Sequence, residues 1–172
     1  MIHSISPMSV ALFGLLTVAT TQGAEPPKPA DRDAIIEKLK AKKVNVTALT
    51  AKFEGNVPAV WLGTGPNGGP EGNADDETLA LSVELPEVER IFINGGKFSA
   101  DGFVKLALLP KLRWLDIYAS DIDPKTFAVL TKLKTVETLR IQNCSVNAEI
   151  LGYAGTIRGL KTVEFNKTQD VT

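Results

Sequence analysis

LPEVERIFI, LPKLRWLDI, LKTVETLRI and IRGLKTVEF begin at Leu85, Leu109, Leu133 and Ile157, so each start lies 24 residues after the last (85, 109, 133, 157). A fixed period in this range is the first sign of a solenoid, because one such unit cannot bury its apolar face alone and must stack on its copies. The aligned columns are apolar: Val88, Leu112, Val136 and Leu160; then Ile91, Leu115, Leu139 and Val163; then Ile93, Ile117, Ile141 and Phe165. The last two columns are two residues apart, which is the alternation of a strand with one buried face.

Helix signals fall between the strands at the same period. Asp75, Ser99, Asp123 and Asn147 share one column, and each has a side-chain oxygen able to accept the first free N–H groups of a helix. Pro124 directly follows Asp123, where a missing N–H costs least. Apolar residues at helical spacing come next: Phe103, Leu106 and Leu109; Phe127, Leu130 and Leu133; Leu151, Ala154 and Ile157. A fainter first copy places Val57, Val60 and Leu62 in the strand columns and Leu79 and Leu85 in its helix, with Thr64–Ala74 inserted between them. The spacing predicts an α/β chain of about five parallel strands, with a short helix returning from each to the next. An amphipathic helix over 31–43, with Ile35, Ile36 and Leu39 inward, and the short strand VNV at 44–46 predict an N-terminal cap over residues 31–53.

The pattern LxxLxLxx followed by a small residue and then a helix resembles the leucine-rich repeat family, in its helix-bearing, ribonuclease-inhibitor-like subclass and closest to short exported bacterial members. The resemblance covers about residues 54–172, the last repeat being truncated. It implies a solenoid with the sheet on the concave face and the helices on the convex face. In that family the column after the strand often holds Asn or Cys, which satisfies backbone groups inside the turn. Here it reads Gly65, Gly96, Ser120, Cys144 and Thr168. Cys144 therefore reads as a small residue filling a buried turn rather than as a reactive thiol.

Residues Val10–Val18 form an apolar run too short to span a bilayer, followed by the small and polar residues TTQGA and by EPPKPA. That is the shape of a signal peptide over 1–23, with a Pro-rich linker over 24–30, and it predicts an exported protein, periplasmic or secreted, with no stable membrane span in the mature chain. The balance of 19 Lys and Arg against 20 Asp and Glu contains no basic cluster beyond the end of the first helix, so nucleic acid is not expected as a partner.

Catalytic chemistry finds little to use. The one histidine, His3, lies in the leader, which removes Ser-His-Asp and Cys-His sites and His-based zinc sites from the mature chain. Gly63-Thr-Gly65-Pro-Asn-Gly68 spells GxGxxG after a predicted strand, but the next helix starts well downstream and opens on Asp75-Asp76-Glu77, which would repel a phosphate. No catalytic residue, metal or cofactor is expected.

Function is then expected on the outward strand columns. The first holds Ala59, Arg90, Trp114, Thr138 and Thr162; the middle, Trp61, Phe92, Asp116, Arg140 and Glu164; the last, Gly63, Asn94, Tyr118, Gln142 and Asn166. Trp61, Arg90, Phe92, Trp114, Asp116, Tyr118, Arg140 and Gln142 are the candidate binding residues, with Asp116, Arg140 and Glu164 forming a cross-strand charge ladder. Two readings of the aromatics stay open: a recognition patch, or side chains that cover one another beneath loop 64–74. The expected function is a non-catalytic protein- or ligand-binding module whose partner is another protein or a cell-surface polymer. The alternatives are a carbohydrate- or cell-wall-associated protein and, from another class, a carboxylate hydrolase using Asp116 and Glu164. The C-terminal strand edge leaves self-association open.

Overall fold

The computed structural model describes residues 29–49, 57–63, 74–120, 122–166 and 169–170; the expected leader, residues 24–28 of the expected linker and residues 64–73 of the insertion lie outside the described residues, whereas Pro29 and Ala30, expected in the linker, open the first helix. Five strands form one sheet: β1 (Ala59–Gly63), β2 (Arg90–Asn94), β3 (Trp114–Tyr118), β4 (Thr138–Gln142) and, after the two-residue β5 (Ser145–Val146), β6 (Thr162–Asn166). Their order is β1-β2-β3-β4-β6 and every pairing is parallel. The predicted columns are lines of Cα partners: Val60, Ile91, Leu115, Leu139 and Val163 in one, and Leu62, Ile93, Ile117, Ile141 and Phe165 in the next.

Parallel strands need a crossover between them, and short helices supply it. After α1 (Pro29–Ala41) come α2 (Asp76–Ser82), α3 (Ala100–Val104, continued by a 3-10 turn over Lys105–Leu108), α4 (Pro124–Leu130) and α5 (Ala148–Ala154). All four predicted caps are in place: Asp75, Ser99, Asp123 and Asn147 have extended backbones and accept from the N–H three residues on. The helices pack in chain order, each against the next, and their buried Leu79, Phe103, Leu106, Phe127 and Leu130 meet the strand columns in one apolar core. The Asp-Asp-Glu run at α2 is accounted for by structure. Asp75 caps α2, Asp76 accepts from the N–H and hydroxyl of Ser99, and Glu77 pairs with Lys42 at 2.7 Å.

The turn column behaves as its residue types demand. Ser120 Oγ donates to the carbonyls of Tyr118 (2.9 Å) and Gly95 (3.1 Å), and Cys144 Sγ lies 3.2 Å from the Gln142 carbonyl oxygen, both residues being buried. Gly96 departs from its neighbours because its φ is +91° and the Ala74 carbonyl, which accepts from Lys97 N–H at 3.1 Å, occupies the place a Cβ would take. At the N-terminal edge, Val44 and Val46 are buried and Asn45 exchanges two backbone hydrogen bonds with Trp61, so the expected cap strand is present as an antiparallel bridge onto β1.

The last repeat departs from the sequence pattern. Leu151, in the column of Phe103 and Phe127, is 48% exposed, and Ile150 is buried instead. Helices α3 and α4 each have helices on both sides whereas α5 packs on α4 alone, so one flank of α5 is uncovered among the described residues. The same holds for β6, which ends the sheet: Val163 is 38% exposed although its column partners are buried. A further pairing, parallel between β5 and β7 (Gln169–Asp170), is not signalled by the repeat.

The caps carry a pH dependence. Hydrogen bonds from the Thr126 backbone N–H and hydroxyl hold the Asp123 carboxyl below its ordinary value. For Asp75, burial pushes upward, but the Thr78 N–H and hydroxyl and nearby Lys42 outweigh it, and the net shift is also downward. A depressed folded pKa contributes stability that is present above the unfolded pKa and is lost as pH falls through the folded one. Stability is thus expected to drop below about pH 4. Asp123→Ala should cost about 1 kcal/mol near neutrality and flatten that drop, as measured by urea unfolding across the acid range; an equally steep acid limb in the variant would refute the cap as its source.

Candidate binding face

Because strand side chains alternate, the residues between the core columns face the other side of the sheet. There Trp61 and Phe92 follow the second of the two readings left open for the aromatics, in which side chains cover one another. Trp61 is only 8% exposed, Arg90 5% and Asp116 9%. They cover part of one another's surfaces. Trp61 stacks on Phe92 with centroids 3.8 Å apart and 20° between planes, and the Arg90 guanidinium lies 4.1 Å from the Phe92 centroid. Two groups that close to one ring centre must occupy its opposite faces, so Phe92 is sandwiched.

The line continues through charges. Arg90 donates from Nε (2.8 Å) and Nη2 (3.3 Å) to the two carboxylate oxygens of Asp116. Arg140 Nη1 lies 3.7 Å from Asp116, and its Nε donates to Glu164 at 3.0 Å. The expected ladder of Asp116, Arg140 and Glu164 therefore exists but begins one strand earlier, at Arg90. The step from β2 to β3 is diagonal: the direct partner of Asp116 is Phe92, which has no charge to offer, so Arg90, opposite Trp114, reaches across instead. Asp116 and Glu164, the two carboxylates of the hydrolase alternative, both face Arg140 between them.

A second ladder lies one residue before the strands, where Glu89, Arg113, Glu137 and Lys161 recur at the repeat period. Glu137 accepts from Arg113 at 2.9 Å and pairs with Lys161 at 3.1 Å, and these hydrogen bonds hold its carboxyl below the ordinary value. Sequence reasoning missed it, although alternating signs at steps of 24 were its signal. In a parallel, in-register sheet each position meets its own copy, so equal charges would repel and alternate signs are needed.

Accessible surface remains on the last column, as it does on the half-buried Phe92, Arg140 and Glu164. Tyr118 is 39% exposed, and Asn94 and Gln142 are half-buried beside it. A cavity of about 370 Å³ opens here, within the size range of small-ligand sites. Its walls include every candidate residue except Trp114, and add Asn94, which the candidate set omitted, with Ile93 and Ile117. Trp114 stands apart, near the N-terminal end of β3, half-buried with the Arg113 guanidinium 4.5 Å from its ring centroid. Loop 64–74, the expected cover, lies outside the described residues except for Ala74.

Among the described residues, no three of His, Cys, Asp and Glu converge as a metal-binding group, and no helix is long and apolar enough to cross a membrane. No family model, curated protein or solved structure matches this chain.

Proposed function

We propose that the chain is a leucine-rich-repeat solenoid acting as an exported, non-catalytic binding module, and that it binds through the sheet face at the Tyr118 end of the strands. The observation that carries this reading is the cavity of about 370 Å³ on that face, into which strands β1 to β4 all contribute. The 24-residue period supports the family reading, since its strand columns pair in register across the sheet and all its cap positions are used. The paired state of the carboxylates favours binding over hydrolysis: Asp116 is forked by Arg90, and Glu164 is taken by Arg140. The apolar leader VALFGLLTV supports export, to a partner that is another protein or a cell-surface polymer.

Tyr118 and Gln142 are the residues with which to test this, because neither belongs to the buried line. The Tyr118→Ala/Gln142→Ala chain is expected to melt within a few degrees of the parent and to lose retention of the partner captured from the native envelope or secretome. A partner held equally well by the double variant would refute the face as the binding surface.

A further inference from the structure

Resting on that reading of the face, we infer that its ligand is an uncharged saccharide chain lying across the strands along the row Asn94, Tyr118, Gln142 and Asn166. These four are direct Cα partners on β2, β3, β4 and β6, so the row is in register and advances one strand per residue. It consists of three carboxamides and a phenol, groups that both donate and accept and carry no charge at neutral pH. Tyr118 and Gln142 engage their polar side-chain atoms with no other described residue, so both can turn toward a ligand. A sugar hydroxyl also both donates and accepts, and matches such groups without a fixed polarity.

Two further observations narrow the class. The four charged side chains of the neighbouring strand columns, Arg90, Asp116, Arg140 and Glu164, are two of each sign and are matched internally, Arg90 with Asp116 and Arg140 with Glu164. An ionic ligand would find no net charge to attract it on this face, whereas a neutral one needs none, leaves both pairs intact and can still use the remaining Arg140 donors, that side chain being 30% exposed. Spacing is the second. Neighbouring strands lie about 4.8 Å apart, close to the advance of one pyranose along an extended glycan. An extended peptide laid across the strands presents side chains on one side only every ~6.8 Å, two residues of about 3.4 Å each, and falls out of step with the row. The exposed Tyr118 ring adds an apolar surface for the C–H face of a sugar.

The test is calorimetric titration of the full chain with cello-, chito-, manno- and xylohexaose and the corresponding disaccharides. At least one hexasaccharide is expected to bind saturably, with its disaccharide weaker by about tenfold or more, as the loss of even one or two hydrogen bonds implies. Gln142→Ala should weaken the hexasaccharide by a similar factor without a change in melting temperature, and added salt should leave the affinity unchanged. Saturable sugar binding that ignores Gln142→Ala and Tyr118→Ala overturns the row as its location. If no hexasaccharide binds while a captured protein partner is still lost with Tyr118→Ala/Gln142→Ala, the saccharide inference fails and the binding face stands. If neither a sugar nor a partner depends on these residues, both fail.

Discussion

Asp116→Ala is expected to lower the unfolding free energy by about 3 kcal/mol, which for a domain of this size corresponds to a melting temperature lower by roughly 6–12 °C. Asp116 is the one acid between two arginines. It accepts the two-point fork of Arg90 and faces Arg140 at 3.7 Å, and the Arg90 side chain is 6% exposed. Removing the carboxylate takes away the two-point acceptor of a desolvated guanidinium and leaves a like charge beside it. Stranding one partner of a buried pair costs about 3–5 kcal/mol, and the lower end applies because Arg140 is 30% exposed and can turn toward water. Replacing the pair together, as Arg90→Met/Asp116→Leu, should come close to the parent, since two apolar side chains remove the desolvation cost along with the attraction. Equal destabilisation of the single and double variants in urea unfolding would show that packing around Phe92, and not the lost ion pair, is responsible.

The second large effect sits in the core and separates two residues that the repeat makes equivalent. Phe127→Ala should cost about 3–5 kcal/mol, from lost burial and the cavity left between α4 and the sheet. Leu151→Ala, one period later in the same column, should cost less than about 1 kcal/mol, as expected of a substitution at a surface position. Phe127 is fully buried, whereas Leu151 is 48% exposed. The converse holds for Ile150, which is 3% exposed, so that Ile150→Ala should exceed Leu151→Ala. Two equally severe losses at Phe127 and Leu151 would mean that the flank of α5 is covered in solution.

Much of the architecture was legible because a repeat reports each element several times over. Ile91, Leu115 and Leu139 confirm one another's inward direction, and four cap residues in one column mark four helix starts more securely than any single Asp could. Where this redundancy ends, the reading weakens. Leu151 and Val163 obey the pattern, yet they belong to the last helix and strand, whose burial depends on a neighbour and not on their own spacing. The pairing of β5 with β7 was invisible for a related reason: two-residue strands carry no periodicity.

The candidate face shows the same division at closer range. Strand alternation placed Trp61, Arg90, Phe92, Asp116, Tyr118, Arg140 and Gln142 on one side of the sheet, and the structure gathers all of them around one cavity. Alternation cannot distinguish a side chain that faces water from one that faces its neighbour. That difference depends on the directions the chains take once the strands are paired: Arg90 crosses diagonally to Asp116, Trp61 lies flat on Phe92, and Tyr118 is left exposed between the half-buried Asn94 and Gln142.

The order of the strands, the register of the sheet and the starts of its helices thus follow from local residue type and a fixed period, because each is a statement about one repeat and its copy. Which outward residues are structural and which are accessible was decided only by tertiary packing, because burial is a property of pairs. Of the aromatics on the face, Trp61 and Phe92 are spent on each other and Trp114 stands apart, while the Tyr118 phenol is accessible beside the plainer amides.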